Sequence, residues 1–252
     1  MANENGTWIM RGPAWNDPKR IKTWKELIEK VKEVGFLPLF ANEIKGFSVE
    51  EHVSPNYWWT GNRKEDPWEW REIIAASHEV AYGKFFDKKA GFISVEWLPY
   101  FANYRRDGYD FMSRWEDGLA DRREKKIMDF FVTDDDGEAA FKDTFVLSTE
   151  LKEQAGFGKN GEKNYPGIMT NLQMATYLVI SEFRRRRNKK GDEYGMAVSV
   201  PLPPEKIWGY NVVTAAYKEQ PAASWDRIAG RITDLYPAAA KEEVSRLIGK
   251  RP

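Results

Sequence analysis

Six of the seven positions from Arg184 to Lys190 are basic: Arg184, Arg185, Arg186, Arg187, Lys189 and Lys190, with Asn188 among them. Clustered guanidinium and ammonium groups neutralise phosphates and release their counterions. This run is therefore the part of the chain that points most directly to a partner. It lies between two extended patterns. Leu178 to Arg187 carries Val179, Ile180 and Phe183 before turning basic, and Tyr194, Met196, Val198 and Val200 alternate with Gly195, Ala197 and Ser199. That alternation is the period of two of a half-buried strand. Asn188-Lys189-Lys190-Gly191 supplies Asn and Gly, which tolerate positive φ in a tight turn. The pattern predicts a hairpin with a basic tip, a feature that phosphate contact and plain solvation both produce.

The elements before this hairpin must position it. Ser148 is a good N-cap for a short helix through Ala155, ended by Gly156, and a Gly/Lys/Asn linker leads to Pro166 and a second helix over Gly167 to Tyr177. Helix, linker, helix and hairpin is the order of a winged helix-turn-helix, in which the second helix enters the major groove. Its exposed polar residues would be Thr170, Asn171 and Gln173, with Ile168, Leu172 and Ala175 or Thr176 facing inward. Asn and Gln read adenine through paired hydrogen bonds. Winged helices also dock proteins, and acidic side chains interleaved around Arg184 to Lys190 would favour that use.

Composition narrows the alternatives. Lys+Arg and Asp+Glu both total 39 in 252 residues, so attraction to an anion must come from a local patch. With no cysteine, a thiol nucleophile, Cys-ligated zinc, an iron-sulfur cluster and a disulfide framework are excluded. His52 and His78 are the only histidines, which makes a histidine-rich metal site improbable. Asp134-Asp135-Asp136-Gly137 lacks the spaced ligands and terminal Glu of a calcium loop and reads as a linker. The expectation is a protein without metal or cofactor. Neither a signal-like N-terminus nor an apolar run of membrane-spanning length occurs, so a cytoplasmic protein with no membrane partner is expected.

Farther upstream, Asp17-Pro18 resembles a helix start, and Ile21, Trp24, Ile28, Val31 and Val34 repeat at helical spacing until Gly35. Phe36 to Phe40 is a short apolar run that reads either as a buried strand or as the extended entry to a loop. Asp66-Pro67-Trp68-Glu69 predicts a helix to Ser77, followed by a strand over Val80 to Phe86 that turns back into Phe92-Ile93. Ser94 is placed to cap a helix through Trp97 to Tyr104, and one helix is expected from Ser113 to Phe131. Ser224 would cap another containing Ile228, Ile232 and Leu235, before Pro237 and a last helix with Val244, Leu247 and Ile248. The fold class is α+β and mainly helical, divided as 1–136, a winged helix-turn-helix at 137–205 and a helical tail at 206–252. Aromatic residues are abundant, with 11 Trp, 11 Tyr and 14 Phe. Most belong to a core, and Trp58, Trp59, Trp68 and Trp70 form a candidate stacking pocket.

Two blocks carry a resemblance: Trp58-Trp59-Thr60-Gly61 with Asp66-Pro67-Trp68-Glu69-Trp70-Arg71, then Ala81-Tyr82-Gly83-Lys84-Phe85-Phe86 with Gly91-Phe92-Ile93-Ser94. With Leu172-Gln173 and Tyr194-Gly195, the chain resembles the bacterial AlkZ-related proteins over roughly residues 25 to 205. That group is named for similarity to AlkZ-type DNA glycosylases, winged-helix enzymes that excise alkylated or crosslinked bases. The resemblance implies double-stranded DNA as partner and a link to repair, with the tryptophans stacking an extruded base. It also implies a Gln-apolar-Gln motif, or a relative ending in Asp, to position water. Here only Gln154, Gln173 and Gln220 occur and the motif is absent. Asp66, Glu69 and Glu72 lie near the aromatic cluster, but none is singled out, and the catalytic residue stays unknown. Three readings follow: a DNA-binding winged-helix protein, an active glycosylase on alkylated bases, and a protein- or ligand-binding module without DNA affinity.

Overall fold

A computed structural model describes every residue except Met1, Asn5, Gly6, Asp136, Gly137 and Lys189. Strands β1 (Ala2–Glu4) and β2 (Thr7–Ile9) pair antiparallel at the start of the chain. The first helix, α1 (Trp24–Val34), buries Leu27, Ile28, Val31 and Val34. Its N-cap is Thr23, whose Oγ1 accepts from Glu26 N at 3.2 Å, so the helix starts later than Asp17-Pro18 suggests. Asp17 instead closes a local turn by accepting from Lys19 N at 2.8 Å. Gly35 ends α1 at φ 97°, and a Cβ there would meet the Trp97 indole at 2.7 Å. Glycine is required on both counts.

Strand β3 (Phe36–Pro38) follows, then α2 (Pro67–Ser77), β4 (Val80–Phe86), β5 (Lys89–Ser94) and α3 (Leu98–Arg106). The three strands form an antiparallel sheet in the order β3-β5-β4. Asp66 caps α2 as expected from sequence, while Trp97 rather than Ser94 occupies the N-cap of α3, with Pro99 in its first turn. The single helix expected over 113–131 is two, α4 (Phe111–Glu116) and α5 (Arg122–Met128). Gly118 at φ 70° breaks the path, and Asp121 with Glu124 opens α5 through a capping box.

Where a linker was expected, β6 (Val132–Asp135) and β7 (Glu138–Phe141) form a hairpin; Asp136 and Gly137 lie outside the described residues. Then come α6 (Ser148–Gln154), α7 (Tyr165–Met174), β8 (Val179–Arg187) and β9 (Glu193–Leu202), the expected order of helix, linker, helix and hairpin. Asn188 organises the tip, its Oδ1 accepting from Lys190 N at 2.8 Å and Asp192 N at 3.0 Å, while Gly191 sits at φ 90°. Four helices complete the chain: α8 (Pro204–Trp208), α9 (Tyr210–Val213), α10 (Pro221–Leu235) and α11 (Lys241–Ile248). Ser224 is not an N-cap. It is buried inside α10, where its Oγ accepts from Asn103 Nδ2 at 2.9 Å.

The architecture is mixed: helices with small antiparallel sheets. Among the described residues no helix is long and apolar enough to cross a membrane. Buried side chains form two clusters. One surrounds the three-stranded sheet and takes in Val179 and Ile180 of β8 with Ile228, Ile232, Val244, Leu247 and Ile248 of the last two helices. The other collects Phe111, Ile127, Met128, Phe131, Leu151, Ile168, Leu172 and Leu178.

Arg106, 1 % exposed at the end of α3, bridges the two. Its guanidinium donates to the Thr176 carbonyl at 2.6 Å, to Thr176 Oγ1 at 3.2 Å and to the Glu205 carboxylate, and it lies 4.7 Å from the Tyr177 ring centre. Removing one partner of a buried ion pair strands the other charge. Arg106→Ala is therefore expected to lower unfolding free energy by about 3–5 kcal/mol in urea denaturation, and an Arg106→Met/Glu205→Leu pair by much less. Equal losses from the single and double variants would contradict this.

Candidate nucleic-acid interface

Strict alternation along a strand would split four consecutive arginines between two faces. Strand β8 pairs with β9 through register shifts between Ile180 and Glu182 and between Arg184 and Arg186, the second of which places its extra residues on β9. A bulge increases local twist and re-aims side chains. Arg184, Arg185, Arg186 and Arg187, all exposed, line one groove of about 860 Å³ with Phe183, Tyr194 and Ala197 of the same hairpin. Arg63 and Glu72 join from the α2 region, and Leu147, Thr149, Glu150 and Glu153 from the α6 region. Lys190 is exposed at the tip; Lys189 lies outside the described residues.

Neighbours hold Arg184 in place. Arg184 pairs with Glu182 at 2.9 Å, and its guanidinium carbon lies 4.1 Å from the Phe145 ring centre. Below the groove, the Arg71 guanidinium is stacked between Trp68 and Phe183, at 3.7 Å and 4.7 Å from their ring centres. This contact joins α2 to the base of the hairpin. Burial pushes the Glu72 carboxyl above its usual range, and Glu69 adds to that push against the pull of Arg71, Arg63 and Arg185.

The residues expected to read bases are placed differently. Asn171 is exposed, whereas Thr170 and Gln173 are buried at 7 % and 5 % exposure. Strand β4 is an edge of its sheet, so its outward amides need acceptors. Gln173 Oε1 accepts from Lys84 N at 3.0 Å, and Thr170 Oγ1 from Lys84 Nζ at 3.2 Å. Gln173 Nε2 turns back to the Met169 carbonyl at 3.0 Å. The exposure expected for Thr170 and Gln173 is therefore corrected: that face of α7 is committed to the sheet edge.

The four tryptophans differ widely in exposure. Trp70 is fully buried, Trp58 is 6 % exposed, Trp68 is half-buried and Trp59 is 49 % exposed. Trp58 and Trp68 flank Phe40 with ring centres at 5.5 Å and 6.5 Å, as core packing. Asp66 is occupied too: its carboxylate accepts from Trp59 N, Gly61 N and Trp68 N at 3.1, 2.9 and 2.8 Å. Of the three nearby carboxylates, only Glu72 lines the arginine groove.

Sequence reasoning missed Arg63, Phe145, Glu150 and Glu153 as groove residues. Arg63 and Phe145 stand in irregular segments that no periodicity marks, and Glu150 carries the signature of a capping box, accepting from Leu147 N at 3.2 Å.

The sequence model of the family described as AlkZ related matches residues 21–249. The chain belongs to the AlkZ-related family. The match takes in the helices after residue 205, beyond the blocks that carried the resemblance. No curated protein and no solved structure matches the chain.

If Trp70 is core and Trp59 surface, their truncations separate. Trp70→Ala should lower unfolding free energy by about 3–5 kcal/mol, and Trp59→Ala should stay within about 0.5 kcal/mol of the parent. Urea denaturation measures both, and a Trp70 whose loss left stability untouched would instead line a ligand pocket.

Proposed function

We propose that this AlkZ-related protein binds DNA through phosphate contacts along the β8–β9 hairpin, which acts as the wing of a winged helix formed with α6 and α7. The observation that carries this reading is the gathering of four consecutive arginines, with Arg63, into one groove on a chain of zero formal net charge. Such a patch supplies local attraction without a global field. Membership in the family adds weight, because the family is named for DNA glycosylases. Thr170 and Gln173 are committed to the sheet edge, so the reading rests on backbone contact, which positions a nucleic acid without specifying its sequence.

Replacing Arg184, Arg185, Arg186 and Arg187 together with Ala should weaken binding to a labelled duplex carrying a single-stranded tail. The slope of log affinity against log salt should fall in magnitude by about 3, the contribution of four cations at ~0.7–0.9 each. Fluorescence anisotropy over a salt series measures this, and an unchanged slope would remove the hairpin from the reading.

A second reading is base excision with Glu72 as the group that orients water. It is favoured by the position of that carboxyl in the groove and its upward-shifted pKa, a combination frequent at functional sites. Incubation with alkylated DNA should then release modified base and leave abasic sites, with Glu72→Gln inactive yet folded and bound. Release undiminished in that variant would exclude Glu72 from the chemistry.

A further inference from the structure

Four of the groove's five arginines lie on one strand, Arg184 to Arg187 of β8, the fifth being Arg63 before α2. Its cations come chiefly from β8, whereas the helices beside the hairpin contribute carboxylates: Glu72 from α2, and Glu150 and Glu153 from α6. Neighbouring strands lie about 4.8 Å apart, so a single strand offers a strip one phosphate row wide. A duplex carries two phosphate rows, separated by grooves of about 6 and 12 Å. Seating one row on Arg184 to Arg187 brings the second toward the flanking carboxylates. An unpaired strand has no second row to repel.

The rings in the groove point the same way. Phe145 and Tyr194 are each 50 % exposed, a large apolar area to leave in water among arginines. Phe145 packs one guanidinium, that of Arg184, at 4.1 Å. Tyr194 pairs with Arg186 across the hairpin, which puts an exposed ring and a cation at the same level of the groove. A cationic track interleaved with exposed aromatic rings suits a strand whose bases are free to stack, because every base has a π-face. Base faces in a duplex are already stacked on one another.

We infer that the β8 groove takes an unpaired nucleic-acid strand, with phosphates along Arg184 to Arg187 and bases stacked on Tyr194 and Phe145, and that Glu72 and Glu153 disfavour duplex. This inference rests on the phosphate-binding reading above and adds the form of nucleic acid bound.

The test is anisotropy binding of fluorescein-labelled oligo-dT of about twelve nucleotides, within the usual range of site sizes, against a blunt duplex of equal length. The strand should bind at least about tenfold tighter than the duplex, the size of effect expected from one stacked base. Tyr194→Ala should lose about tenfold on the strand and little on the duplex, and Tyr194→Phe should retain strand affinity. The double variant Glu72→Gln/Glu153→Gln should gain duplex affinity while strand affinity changes less, narrowing the gap. Duplex binding equal to or tighter than strand binding in the parent would overturn the inference and leave phosphate binding by the hairpin standing. Failure of both probes to bind at low salt would overturn the two together.

Discussion

The molecule depends on one buried cation. Arg106 leaves the end of α3, in the sheet-centred core, and donates into Thr176 and Glu205, where the second core ends and the C-terminal helices begin. Thr176 has φ 62°, a left-handed conformation that is costly for a β-branched residue. The hydrogen bonds from Arg106 to its carbonyl and hydroxyl hold that turn. Because Thr176 lies just before β8, the same contacts fix how the hairpin departs from α7.

A second coupling sets the orientation of α7. An edge strand presents unpaired amides, and the amide of Lys84 is satisfied by the side chain of Gln173 rather than by another strand. This protects the edge and ties the helix to the sheet. The consequence is direct: Thr170 and Gln173 turn toward protein groups, while Asn171 on the same helix is exposed.

Electrostatically, the hairpin is a local exception in a balanced chain. Arginine suits this role because its planar guanidinium can bind a phosphate while stacking on a ring. Arg184 on Phe145 and Arg71 between Trp68 and Phe183 show the stacking half of that capacity within the protein. Carboxylates on α2 and α6 border the groove beside the arginines of β8.

The sequence alone determined what local chemistry dictates. Alternation placed the β8–β9 hairpin and its Asn-Gly turn, Asp66-Pro67 marked the start of α2, helical spacing marked the buried face of α1, and the quoted blocks identified the family. These are short-range preferences, readable within a few residues. Tertiary structure decided the rest. Thr170 and Gln173 have the residue types of base readers, but whether they face solvent depends on an edge amide 89 residues from Gln173 in sequence. Trp70 and Trp59 are alike in composition, and only packing makes one core and the other surface. The arrival of Glu72 beside the arginines and the closure of the chain on Arg106 arise from contacts distant in sequence. No local pattern encodes such contacts, because their energy exists only once the elements have met.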